Sequence, residues 1–501
     1  MKNILEYLER SARRFPDKIS FADPENEVTY AGLLTRARRI GTAIAQIAEP
    51  GSPVPVFMGK SVDTIAVFFG TVCAGCFYTL LDTKQPRMRL LDILGTLERD
   101  FIITTHAWDE DLAAFGFEGT VYYLDEIEKT EEDPVLLDSI RSKSLDIDPL
   151  YCNFTSGSTG VPKGVLVGHR SVIDFIDIFT ELFDITEEDV IGNQAPFDFD
   201  VSVKDIYSTI AMGATMQIIP TRYFSIPTTL LDFIVERHVT TLIWAVSAMC
   251  IISQLHGFDY KVPADVKKVL FSGEVMPIRH LTEWQKALPG VKFVNLYGPT
   301  EITCNCTYFV IDRMYERGES IPSGVPFPNE KVFLLDDEDH LVTEPGTDGE
   351  ICVSGTALAL GYYNNPEQTA KAFVQNPLNK KYLEPIYRTG DLAHYDENGL
   401  LCFASRKDFQ IKHMGHRIEL GEIDRALDAV EEVERACCIF EKNKIIAFYI
   451  GGIDKKDLAA KLAERIPKYM IPNRFVNVDE MPLTKNGKID RKALAAAAGR
   501  R

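Results

Sequence analysis

Residues 155–164 read Thr155-Ser156-Gly157-Ser158-Thr159-Gly160-Val161-Pro162-Lys163-Gly164, which packs three glycines, four hydroxyl side chains and one lysine into ten positions. Glycine gives the backbone access to positive φ, so successive N–H groups can turn inward around an anion. The hydroxyls add donors, and Lys163 adds a compact charge suited to phosphate. The spacing is not the Gly-x-x-x-x-Gly-Lys-Ser/Thr of a Walker loop. Read alone, the segment is a polyphosphate cradle, ATP being the first choice of ligand. Composition by itself also leaves a solvated Gly/Ser/Thr loop open.

Other clusters lie downstream. Asn295-Leu296-Tyr297-Gly298-Pro299-Thr300-Glu301 offers an aromatic face, a tight turn, a hydroxyl and a carboxylate within seven residues. Tyr387-Arg388-Thr389-Gly390-Asp391 sets one carboxylate after a glycine, an arrangement suited to a pair of ribose hydroxyls. Gly415-His416-Arg417-Ile418-Glu419-Leu420-Gly421-Glu422 and Asn486-Gly487-Lys488-Ile489-Asp490-Arg491 complete the series. Asn-Gly-Lys alone would be no more than an exposed turn; its position at the end of this order is what marks Lys488.

These groups need elements to hold them. A chain of 501 residues exceeds one hydrophobic core and implies two or more domains. Short β-branched runs at 54–58, 101–104, 214–219, 240–244 and 267–271 alternate with amphipathic stretches at 30–47, 230–237 and 279–287. That alternation predicts an α/β fold with parallel sheets. From about residue 320 the texture shifts to short segments and turns, predicting a β-rich part that completes an N-terminal body over 1–407. A small mobile α+β lid follows over 408–501, with a helix at 420–427, strands at 436–440 and 444–450, and a helix at 455–466.

Composition narrows the setting. The net charge of −19 disfavours non-specific binding to nucleic acid or anionic membranes, while a locally positive pocket for an anion stays possible. Ten cysteines include the adjacent Cys437 and Cys438, and Met1-Lys2-Asn3-Ile4-Leu5-Glu6 runs directly into charged sequence. A reducing cytoplasm, no disulfide framework and a monomer are the expectations. Cys73 and Cys76, like Cys304 and Cys306, are read as packing residues. The uncharged segment 64–81 is read as a buried helix running into a buried strand, not a membrane span.

Taken in order, the motifs resemble the adenylate-forming superfamily. The likeness is greatest to its amino-acid-activating branch, the D-alanine–carrier protein ligases and the adenylation domains of nonribosomal peptide synthetases, and it covers nearly the whole chain. The resemblance implies that Thr155, Ser156, Gly157, Ser158, Thr159, Gly160 and Lys163 hold the β- and γ-phosphates of ATP. Tyr297 would stack on adenine, Asn295 and Gly298 would belong to the ATP site, Thr300 would contact the α-phosphate, and Glu301 would help bind Mg²⁺. Asp391 would take the ribose hydroxyls with Arg406 nearby, Asp408 would be the hinge, and Lys488 the catalytic lysine. A second half-reaction is implied, in which the lid turns about Asp408 and presents the 412–417 loop to the phosphopantetheine thiol of a separate carrier protein. An acyl- or aryl-CoA ligase of the same superfamily is the alternative. The reaction requires no histidine base, so His169, His413 and His416 are read as structural.

The substrate pocket follows from the same likeness. Asp200 in Phe197-Asp198-Phe199-Asp200-Val201-Ser202 would anchor the α-ammonium, its competing role being to start a helix. The remaining wall would be Val201, Lys204, Ile243, Leu270, Ser272, Gly273, Leu296, Cys304 and Asn305, with Lys488 reaching the carboxylate. Ser272 stands where D-alanine ligases carry cysteine, which separates this chain from D-alanine itself. Leu270 and Leu296 would favour a small side chain. Lys204 is expected to point to solvent, contact with an acidic or polar substrate group being the other option.

Overall fold

The computed structural model describes residues 1–157, 162–316, 318–407, 409–482 and 489–498. Ser158, Thr159, Gly160, Asp408 and Lys488 therefore lie outside the described residues.

Two parallel-centred sheets form the body, as the alternation predicts. The first has nine strands in the spatial order Val325–Pro326, Thr307–Ile311, Lys292–Tyr297, Lys268–Ser272, Thr241–Ala245, Val190–Asn193, Thr215–Ile218, Ile19–Ala22 and Glu27–Thr29. The second has seven: Gly361–Tyr362, Lys163–Gly168, Pro149–Thr155, Phe77–Leu80, Pro53–Val56, Phe101–Thr104 and Thr120–Tyr123. One continuous apolar core takes side chains from both, for example Phe21, Ile191 and Val294 from the first and Val54, Tyr78 and Val165 from the second. Helices Tyr30–Ile44, Val62–Cys73 and Val201–Met212 contribute to that shared core. Val62–Cys73 is apolar on nearly every face because it is buried on nearly every face. It runs into the strand Phe77–Leu80, which accounts for the uncharged stretch. Other helices cover the outer faces, Pro227–Glu236, Val246–Gln254 and Ile278–Ala287 on one side and Arg87–Leu97 on the other. The result is a five-layered α/β body. All ten cysteines are free and none is more than partly exposed, in keeping with packing roles.

The β-rich part is an antiparallel six-stranded sheet in which Pro385–Tyr395 pairs with Gly349–Gly355 and with Leu401–Arg406. Its register sets Asp391 opposite Arg406. The smaller C-terminal domain opens with a hairpin, Gln410–His413 and His416–Glu419, followed by helix Leu420–Asp428. Strands Val433–Glu441, Lys444–Gly451 and Arg474–Asn477 form its sheet, and helices Lys455–Ala463 and Arg491–Ala498 complete it. Among the described residues, no helix is long and apolar enough to cross a membrane.

Candidate active site

Strand ends build one cavity. Thr155 and Ser156 close the strand Pro149–Thr155, Ser272 and Gly273 close Lys268–Ser272, and Gly298, Pro299 and Thr300 follow Lys292–Tyr297. In open parallel sheets the C-terminal ends of the strands are where ligands bind. Asp200, Val201, Cys304 and Asn305 line the same cavity, as do Asp391 and Arg406 from the β-rich sheet. Residues taken from all four sequence clusters of the body thus meet in one place.

The 155–164 segment joins two antiparallel strands, not a strand to a helix, because Pro149–Thr155 pairs with Lys163–Gly168. Lys163 sits at the start of the second strand with its ammonium 5.0 Å from the Tyr362 ring centroid. Glu301 is joined to the cavity lining through Arg417. Its fully buried carboxylate accepts from Tyr362 Oη (2.8 Å) and pairs with Arg417 Nη1 (2.6 Å). Burial alone would push its pKa up, but Arg417, Lys163 and the Tyr362 hydroxyl hold it down at about 2. With Arg417 seated it is held as an anion.

Asp391 is similarly buried and engaged at both oxygens, by Tyr297 Oη (2.5 Å) and by Arg406 Nη1 (2.5 Å). Tyr297 lies beside the cavity wall with the Lys412 ammonium 5.2 Å from its ring centroid. Asn295 stands farther back and donates to the Pro322 carbonyl (2.8 Å).

Asp200 precedes helix Val201–Met212 and makes no capping hydrogen bond. The competing helix-starting role therefore does not use its carboxylate, which lines the cavity instead. Burial pushes its pKa up, and the Thr300 hydroxyl and Lys204 draw it back. The expectation for Lys204 is corrected here. Its side chain is fully buried and donates to Asn305 Oδ1 (2.7 Å), because its face of the helix is turned into the body. Ile243, Leu270 and Leu296 belong to the core behind the wall.

The C-terminal domain completes the enclosure. Its hairpin inserts Gln410, Lys412, Gly415 and Arg417 into the cavity. Met414 and Gly415 at the tip both have positive φ (53° and 81°), as a two-residue type I′ turn requires. Gly415 N donates to Glu274 Oε1 (2.6 Å), and Ser156 Oγ donates to the Arg417 carbonyl (3.0 Å). The His416 ring stacks on Tyr469, with centroids 3.5 Å apart. Behind these, Arg89 Nη1 meets Glu422 Oε1 at 2.7 Å, both side chains 5% exposed. Arg425 Nη2 donates to the Gly157 carbonyl (3.1 Å). With the hairpin seated, the cavity is about 100 Å³, and a second space of about 870 Å³ adjoins it along Asp391, Arg406, Gln410 and Lys412. No motif marks Arg89, Glu274 or Tyr469; their roles come from tertiary contact alone. His169 Nδ1 accepts from Ile4 N (3.2 Å), a structural role as expected.

The comparisons with known proteins bear on the family and the fold. A family model described as AMP-binding enzyme matches residues 8–363, and one described as AMP-binding enzyme C-terminal domain matches 422–488. Zwittermicin A synthase ZmaJ of Bacillus cereus is 33% identical over 98% of this chain and 94% of its own length. D-alanine–D-alanyl carrier protein ligase of Lacticaseibacillus casei (strain BL23) is 29% identical over 99% of each. Tyrocidine synthase 1 of Brevibacillus parabrevis is 30% identical over 98% of this chain, which spans 45% of that synthase. The chain spans still smaller shares of a mycosubtilin synthase from Bacillus subtilis (19%) and of bacitracin synthase 1 from Bacillus licheniformis (9%). Among solved structures, IdnL1 superposes with a TM-score of 0.83 at 26% identity, covering 96% of this chain and 99% of that one. The Vibrio cholerae adenylation domain AlmE in complex with glycyl-adenosine-5'-phosphate superposes at 0.86 with 20% identity over 100% and 98%, a likeness of fold.

Proposed function

Since the chain belongs to the AMP-binding enzyme family, we propose that it activates an amino acid with ATP and passes the aminoacyl group to the phosphopantetheine thiol of a carrier protein acting in trans. The observation that carries this reading is the meeting of Asp200, Thr300, Asp391 and Arg406 around one cavity, with Glu301 paired to Arg417 of its lining. Relatives named as a carrier protein ligase and as peptide synthases support the amino acid and the carrier as partners.

In the first step a substrate carboxylate oxygen bonds to the α-phosphorus of ATP, and the bond to the β-phosphate oxygen breaks, releasing pyrophosphate. Anion meets anion, so catalysis depends on neutralising charge and holding the groups in line. Asp200 would hold the substrate ammonium, and Thr300 the α-phosphate. Residues 155–160 with Lys163 would grip the leaving pyrophosphate, while Asp391 and Arg406 would set the ribose. Lys488 would bridge the substrate carboxylate and the α-phosphate. In the second step the thiol sulfur bonds to the acyl carbon and AMP departs. We place the hinge between the two arrangements at Asp408, and the enzyme in the cytoplasm.

Glu301 fits Mg²⁺, which favours hard oxygen ligands and commonly binds one or two carboxylates together with phosphates. Its carboxylate is held ionised, yet both its oxygens are engaged while Arg417 is seated. It would serve the metal when the hairpin has withdrawn. The ion would supply charge neutralisation on the phosphate oxygens.

Pyrophosphate exchange across the amino acids, both enantiomers included, tests the reading, with acetate, benzoate and other simple acids as controls. Exchange with at least one amino acid is expected, and Lys488→Ala should abolish it while ATP still binds. Exchange with simple acids and no amino acid would overturn the proposal.

A further inference from the structure

We propose that Asp198 is the general base of the transfer step, taking the proton from the incoming thiol as its sulfur bonds to the acyl carbon. This rests on the amino-acid-activating reading above and assigns a residue to its second step.

An aliphatic thiol with a pKa of about 8.5 is only slightly ionised at neutral pH, and the thiolate is the nucleophile. A carboxylate with an uncommitted oxygen in the cavity can remove the proton. The other acidic groups nearby are committed. Asp200 would hold the substrate ammonium, Asp391 is engaged at both oxygens, and Glu422 meets Arg89. Among the described residues, no histidine lines the cavity. Asp198 does line it, two residues before Asp200, and its Oδ1 is buried with no hydrogen-bond partner among the described residues.

A buried carboxylate oxygen without donors is costly to keep ionised and gains by accepting a proton. The Asp82 carboxylate lies close by, its Oδ1 accepting from Lys84 N (3.0 Å). Burial and the Asp82 charge push the Asp198 pKa up, and a backbone N–H, Arg89 and Gln85 draw it partly back. His416 is also near, but burial holds its pKa down at about 4.

Position ties Asp198 to the second step. The neighbouring Phe199 meets the His416 ring edge-on, with centroids 4.8 Å apart, and His416 stacks on Tyr469. The turn that carries Asp198 therefore lies against the seated C-terminal domain, the arrangement that belongs to the thiol step. The acyl carbon is two bonds from the nitrogen that Asp200 would hold, so a sulfur bonding to it comes to the end of the cavity where residues 198–200 lie. There the S–H bond breaks, its proton goes to Asp198 Oδ1, and its electron pair forms the bond from sulfur to carbon. The bond from that carbon to the phosphate oxygen breaks, and AMP leaves with the electron pair. The proton passes from Asp198 to water when the domain withdraws.

The test is single-turnover transfer from the enzyme's own aminoacyl adenylate to pantetheine, alongside pyrophosphate exchange with the same amino acid. Asp198→Asn should slow transfer near neutral pH by about 100-fold or more, the scale of a general base, and far more than it slows exchange. The deficit should shrink as the pH approaches the thiol's own pKa. It should also shrink with trifluoroethanethiol, a more acidic thiol that needs less help. In the wild type, transfer should rise with pH and level off below the thiol's pKa, once Asp198 is ionised. A wild-type rate that climbs about tenfold per pH unit up to the thiol's pKa, as thiolate alone would, overturns the assignment even if the variant fails to fold. So does a deficit equal in transfer and exchange, or one that is the same for both thiols at every pH. No exchange with any amino acid would instead overturn the parent reading.

Discussion

At the scale of single residues, the site is a set of buried charges whose partners decide their roles. Asp200 begins a helix, yet its carboxylate caps nothing and faces the cavity, where burial pushes its pKa up. A substrate ammonium beside it would favour its anionic form, so amino-acid affinity and the Asp200 charge are linked. Asp200→Asn keeps the shape and removes the charge, and should cost about 2–5 kcal/mol of amino-acid recognition, the range for one member of a buried charged pair. Kinetics should register this as a fall in kcat/KM for the amino acid with the KM for ATP nearly constant. Equal damage to both would remove the anchor role. Much of this was legible in residue order, because Thr155, Thr300, Glu301 and Asp391 come from motifs whose chemistry is local. Lys204 was not. Its spacing puts it on the Asp200 face, but only the packing of the helix between two sheets says that this face is turned inward.

At the scale of elements, two features position the site, and the sequence discloses them unequally. The alternation of β-branched and amphipathic runs is a local pattern, so strands such as Phe101–Thr104 and helices such as Ile278–Ala287 fall where expected within a residue or two. Close contact between helices is not local. Tyr30–Ile44 and Val62–Cys73 cross at Gly41 and Gly70, where a Cβ on Gly70 would stand 2.3 Å from Ile40 Cγ2 and one on Gly41 would stand 2.5 Å from Cys73 Cβ. This explains why Cys73 is a packing residue. It also yields a prediction. Gly70→Ala should overpack the crossing by about 1–3 kcal/mol and lower the thermal midpoint, although alanine is the better helix former. An unchanged or higher midpoint in calorimetry would show that the helices can separate without cost. Because the crossing lies away from the cavity, the KM values for ATP and amino acid should stay close to wild type.

At the scale of the whole molecule, the C-terminal domain is caught in one of two arrangements that the proposed chemistry needs. The hairpin lines the cavity, and Arg417 occupies Glu301. If Glu301 is to serve a metal during adenylation, Arg417 has to leave it, so on the proposed function the hairpin withdraws for the first step and the seated arrangement belongs to the thiol step. One contact that ties the domain down without touching Glu301 is the Arg89–Glu422 pair, buried on both sides. Removing one partner of such a pair leaves an uncompensated charge and typically costs about 3–5 kcal/mol. That cost would fall on the seated arrangement alone, because in the other the Glu422 carboxylate could reach water. Arg89→Met should therefore leave pyrophosphate exchange at or above the wild-type rate. Single-turnover transfer from preformed aminoacyl adenylate to a phosphopantetheine thiol should slow by at least about tenfold, since about 1.4 kcal/mol already suffices for that factor. Arg89→Met combined with Glu422→Met, which removes both charges, should recover part of the transfer rate. If instead Arg89→Met slows both half-reactions equally, the pair supports the body of the enzyme and does not set the balance between the two arrangements.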